Sequence, residues 1–167
     1  RDNSQIDWNA MYIANQNSAF AGRSVYVLYE DRTDDNQLSA NSILNSSISE
    51  NVSLTAGVNF RKLRSQNYQN LLDLMGGQYF LDIDPFYSGD AAQTDLNNPN
   101  RQIGENETYG YNYLLHALTF DGFTQFKFTY DKADFYLAQS FSRTEYQREG
   151  LYRNGIYADN SFGKGES

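Results

Sequence analysis

The side chains able to do chemistry are few and poorly partnered. His116 is the only histidine among 167 residues, and it stands in an apolar run between Leu114 and Leu118. A metal ligand or a general base needs a positioned second group. With one His and no Cys in the chain, a structural place on a strand is the favoured reading. Asp31, Asp34 and Asp35 offer oxygens that suit Ca²⁺, but they lack the D-x-[DN]-x-[DN]-G spacing of a calcium loop and fall on both faces of an extended segment. A solvated strand extension is favoured there. Asp82 and Asp84 before Pro85, and Asp95 with Asn97, Asn98 and Asn100, are weak calcium candidates, so no metal site is assigned. Paired carboxylates could serve glycoside hydrolysis, but the sequence sets no separation between them. No G-x-S-x-G, H-E-x-x-H or phosphate-cradling glycine loop occurs. The chain is expected to be no enzyme and to need no cofactor.

One constellation suits binding rather than catalysis. In "YGYNY", Tyr109, Tyr111 and Tyr113 fall on one side of a strand and could stack on a sugar, peptide or aromatic ligand, since a tyrosine offers an apolar face and a polar tip. Cross-strand packing against Tyr26 or Tyr146 is the competing reading, and the favoured one.

The elements that would carry these residues are strands. Tyr (14) and Phe (11) are abundant, Pro (2) is scarce and mean hydropathy is -0.70, a balance that suits strands with one wet face and long polar loops. The net charge of -8 without clustered basic residues argues against a nucleic-acid partner. No run reaches the roughly 18–20 apolar residues of a membrane-spanning helix. The opening at Arg1 without Met and the close at "GKGES" suggest an interior piece of a longer chain.

Alternation of period two marks the strands. In "ENVSLTAGVNF", Val52, Leu54, Ala56, Val58 and Phe60 share one face, and Ser53, Thr55, Gly57 and Asn59 share the other. Leu38, Ala40, Leu44 and Ile48 alternate likewise before a turn at Ser49-Glu50-Asn51. A second unit repeats the plan. Leu118, Phe120, Phe126 and Phe128 precede a turn at Asp131-Lys132-Ala133, and Phe135, Leu137 and Phe141 follow it. Gly122 is read as a bulge or bend. Asp7 and Asn67 are candidate N-caps of two short loop helices, the second ending at Gly76-Gly77.

The expected order is outer loop 1–23, hairpin 24–63, long outer loop 64–106, hairpin 107–148 and outer loop 149–167. Short turns at one end and long loops at the other are the pattern of transmembrane antiparallel β-barrels, so the expected fold is all-β, a barrel segment whose apolar faces meet lipid. Tyr130, Phe135 and Tyr136 at the turn end, and Tyr26, Tyr29 and Tyr146 higher up, suit interfacial girdles.

"GRSVYVLYEDRTDDNQ", "NYQNLLDLMGG", "NNPNR", "YQREGLYRNG" and "DNSFGKGE" resemble segments of the barrel domain of TonB-dependent outer-membrane receptors of the Bacteroidota type. The resemblance spans most of this chain and a fraction of such a receptor. It implies a bacterial outer-membrane location, nutrient uptake and a ligand bound at extracellular loops. It also implies outer-membrane lipid, the remaining strands and plug of a parent barrel and TonB acting through that plug as partners, and leaves open a surface lipoprotein above the loops. Two other classes stay open: a non-transporting barrel subunit that scaffolds an outer-membrane assembly, and a soluble β-sandwich binding module. The ligand is not named by the residues.

Overall fold

The computed structural model describes residues 5–165. The Asp7 carboxylate accepts the Ala10 amide at 3.0 Å and so satisfies a free donor at the start of α1 (Trp8–Gln16), as expected of an N-cap. Two long strands follow, β1 (Leu28–Ser49) and β2 (Val52–Asp73), joined by a turn at Glu50-Asn51. Beyond them come the short β3 (Phe80–Leu81), a 3₁₀ turn (Gly89–Ala92) and β4 (Gln102–Ile103), the last pairing antiparallel with β3. A second long hairpin comprises β5 (Thr108–Tyr130) and β6 (Ala133–Gly150), turning at Asp131-Lys132. β7 (Gly163–Lys164) pairs antiparallel with the end of β6, and the main sheet has the order β1-β2-β5-β6-β7. The fold is all-β with one α-helix among the described residues.

The chain divides into two compact units. One contains Asp35–Ser65 and Leu115–Gln147; the other contains the described residues up to Asp34, Gln66–Leu114 and Arg148–Gly165. In the first, cross-strand contacts fix which residues share a face. Thr55 and Asn45 are bonded through their side chains at 3.0 Å, and Asn59 donates to Asp121 at 3.1 Å. Ser142 also donates to Asp121, and Thr119 meets Thr144. These residues make one face polar. The opposite parity brings Phe120 to Phe141 and stacks Phe128 on Phe135 at 4.5 Å, on the face that carries Leu38, Leu44, Val52, Leu54, Phe60 and Leu137. Ile43, Leu63, Leu115 and Phe123 are the large aliphatic and phenyl exceptions on the polar side.

That apolar face is uncovered. Leu38 is 60 %, Leu44 57 %, Leu137 63 % and Phe141 56 % exposed. Every buried apolar side chain among the described residues lies in the other unit, where Leu71, Leu74, Ile103 and Tyr109 form a core joined by Val27 and Phe80. Asn15 anchors α1 to this core. Its Nδ2 donates to the carbonyls of Tyr26, Leu74 and Met75, and its Oδ1 accepts the amides of Val25 and Tyr26. A buried amide so satisfied ties three segments together, since each backbone group would otherwise lack a partner.

Three expectations need correction. The first hairpin opens at Leu28 rather than residue 24, and β2 continues to Asp73 rather than ending near Leu63. The helix capped by Asn67 does not form; Asn67 is a strand residue that accepts from Thr33 at 3.1 Å, and Asn70 donates to Glu30. Cross-strand polar partners hold the segment extended, and the turn falls later, where Met75 (φ 50°) and Gly76 (φ 85°) take left-handed conformations. Gly122 is no bulge: it sits within β5, and its missing Cβ leaves room for the Phe141 ring.

Candidate functional site

The tyrosines of "YGYNY" part company. Tyr109 is buried at 7 % exposure, edge-on to Tyr29 (centroids 6.0 Å apart) and to Phe80 (5.4 Å). It is therefore a core residue rather than a ligand contact. Its packing partners are not the expected Tyr26 and Tyr146. Burial raises its phenol pKa well above the ordinary value, and the nearby Tyr29, Asp82 and Asp31 add to the shift.

Tyr111 and Tyr113 remain accessible. The Tyr111 hydroxyl donates to Asp31 Oδ1 at 3.0 Å, and the two rings lie 5.9 Å apart. The Arg148 guanidinium stands 4.9 Å from the Tyr113 centroid, a cation–π distance. Burial of the phenol, reinforced by the bond to Asp31, pushes the Tyr111 pKa up to about 12. The phenol thus stays a hydrogen-bond donor at any physiological pH. The patch combines two aromatic faces, a carboxylate and a guanidinium, a set suited to a ligand with hydroxyls and an apolar face.

A second cluster was not legible in the sequence as a unit. Tyr68 donates to Asp34 Oδ2 at 2.7 Å, while Arg32 donates to Asp34 Oδ1 at 3.1 Å and lies 5.5 Å from the Tyr68 centroid. The Tyr68 hydrogen bond, followed by the one from Arg32, holds the Asp34 carboxyl below its usual range. Asp31 and Asp34 are thus committed to different tyrosines, on opposite faces of β1, and do not converge on a cation.

The remaining calcium candidates also serve as loop staples. Asp82, almost wholly buried, accepts Arg101 Nη2 at 2.7 Å and the Gly110 amide at 3.0 Å. Arg101 reaches on to the Tyr152 hydroxyl (2.9 Å) and the Thr108 carbonyl (2.8 Å). Burial works against the Arg101 charge, but the hydrogen bonds to Asp82 and Tyr152 outweigh it and raise its pKa. Asp95 accepts the amides of Asn97 and Arg153 and the side chain of Asn98. Asp84 accepts the Phe86 amide. Among the described residues, no three His, Cys, Asp or Glu side chains come together to hold a metal. His116 lies half-buried on β5.

No known protein family, curated protein or solved structure matches this chain.

Proposed function

We propose that this chain is part of the wall and outer loops of a transmembrane β-barrel in a bacterial outer membrane, and that the parent is a TonB-dependent receptor for nutrient uptake. The observation that carries the reading is the bare apolar face of the unit Asp35–Ser65 and Leu115–Gln147, backed by a hydrogen-bonded polar face and, among the described residues, no buried apolar side chain. Such a surface is a liability in water. Against acyl chains it is satisfied, with the polar face lining a wet interior. The length agrees. Leu38 and Ile48 are ten residues apart, about 33 Å along a strand and about 25 Å in projection at a tilt of roughly 40°, the height of a barrel's apolar band.

β1 lies at the edge of its sheet, and exposed strand edges demand partners in lipid. The remaining strands of the parent would supply them. Tyr111, Tyr113, Asp31 and Arg148 are the ligand-facing group in this reading. The test is spin labelling at successive positions from Val52 to Phe60 in membranes carrying the full-length protein. Even positions should be open to oxygen dissolved in lipid, and odd positions to a water-soluble relaxation agent. Absence of that alternation would remove the barrel reading. Loss of nutrient uptake in a Tyr111→Ala/Tyr113→Ala variant would support the receptor, whereas intact uptake with a failed outer-membrane assembly would favour a scaffold.

A further inference from the structure

The apolar face ends abruptly. Above Phe60 the same parity of β2 continues as Lys62 and Arg64, both exposed and with no hydrogen bond or ion pair to another described residue. The two lie about 7 Å apart along the strand. On β6 the corresponding step is from Phe141 to Arg143, whose Nη2 is 2.6 Å from Glu145 Oε1. At this border a groove of about 920 Å³ is lined by Phe60, Leu118, Lys62, His116 and Glu145 among others. Arg61, the neighbour of Lys62, belongs to the opposite face, where it acts electrostatically on Asp121.

The geometry points to this groove as a seat for a phosphorylated, anionic lipid of the surrounding bilayer. The inference rests on the barrel reading above and adds a ligand to the outward surface of that barrel. Lys62, which lines the groove, and Arg64, two residues beyond it on the same face, offer local complementarity to a phosphate on a protein of net charge -8. They stand where a headgroup would be when its acyl chains lie along Phe60, Leu118 and Phe120. Basic residues at a membrane border contribute about one unit of binding energy each, so the pair corresponds to about a thirty-fold preference. A free anion would gain from the cations alone, whereas a lipid also gains from the apolar floor of the groove.

The experiment uses the full-length protein in nanodiscs containing a minor fraction of phosphatidic acid in phosphatidylcholine, with retained lipids counted by native mass spectrometry. Wild type should keep phosphatidic acid, and Lys62→Gln/Arg64→Gln should lose it by about thirty-fold without change in phosphatidylcholine. Arg61→Gln, an equal charge change on the other face, should retain it as wild type does. Equal retention by wild type and the double variant overturns the proposal. So does displacement by millimolar inorganic phosphate, which would mark a simple anion site. Incorporation into the nanodisc is read separately, by the protection of the thiols of Leu44→Cys and Leu54→Cys variants from a water-soluble thiol reagent. Failure there removes the barrel reading itself, while incorporation without selective retention removes only the lipid seat.

Discussion

Leu44→Arg puts the barrel reading to its sharpest test. Leu44 is 57 % exposed on the apolar face, four residues from Ile48 at the turn end of the band and six from Leu38 at the other. With about 3.3 Å per residue and a tilt near 40°, it sits about 10 Å inside the nearer border, close to the midplane. An arginine there should cost about 2–4 kcal/mol, and at Leu38 or Ile48 only about 0–1 kcal/mol. Asn41→Arg, on the opposite face, should change stability by less than about 0.5 kcal/mol, as at an ordinary wet surface. The assay is reversible denaturant unfolding of the full-length protein from lipid vesicles, with a free energy for each variant. The result that refutes the reasoning is a flat profile, with Leu44→Arg no worse than Asn41→Arg. An exposed leucine in water would give that profile.

Asp82→Asn should strand the Arg101 charge among Tyr152 and Thr108 and destabilise the unit around Tyr109 by about 3 kcal/mol, read as faster amide exchange over residues 80–103. Asn15→Asp turns three carbonyl contacts from attractive to repulsive, so α1 should detach and become sensitive to protease, at a cost of about 2–4 kcal/mol. Tyr111 has a folded pKa of about 12 against an ordinary 10.0, so between those values the folded state holds a proton that the unfolded state has lost. Its contribution is therefore complete below pH 10 and disappears as pH rises toward 12. Tyrosinate absorbance should show this late titration, and Asp31→Asn should bring it to lower pH.

Alternation made the strands readable wherever one face is apolar. Val52 to Phe60 and the turn at Glu50-Asn51 needed only neighbouring residues to be seen. The upper half of β2 was hidden because "LLDLM" has the apolar density of a helix and its true determinants are distant: Thr33 for Asn67, Asp34 for Tyr68 and Glu30 for Asn70. Distance also explains the acidic residues. Asp82 read as no more than a weak calcium candidate beside Asp84, and its true partner, Arg101, lies 19 residues on. The tyrosine triplet was legible as a group but not in its division, since the burial of Tyr109 depends on Phe80 and Tyr29 closing over it. Asn15 carried no local signal at all.

The turn of the first hairpin is clasped from the side. Asn51 Nδ2 donates to the Thr129 carbonyl at 2.6 Å, and the Thr129 amide returns a bond to the Asn51 carbonyl at 2.9 Å. Each hairpin can form from neighbouring residues, but joining β2 to β5 closes the long connection 74–107, a slow event governed by chain entropy. Within that connection β3 pairs with β4, Phe80 opposite Ile103, so it can be shortened by local folding before the strands meet. Assembly would then run from two independent ribbons to one sheet, with the Asn51 clasp fixing which residue of one meets which of the other.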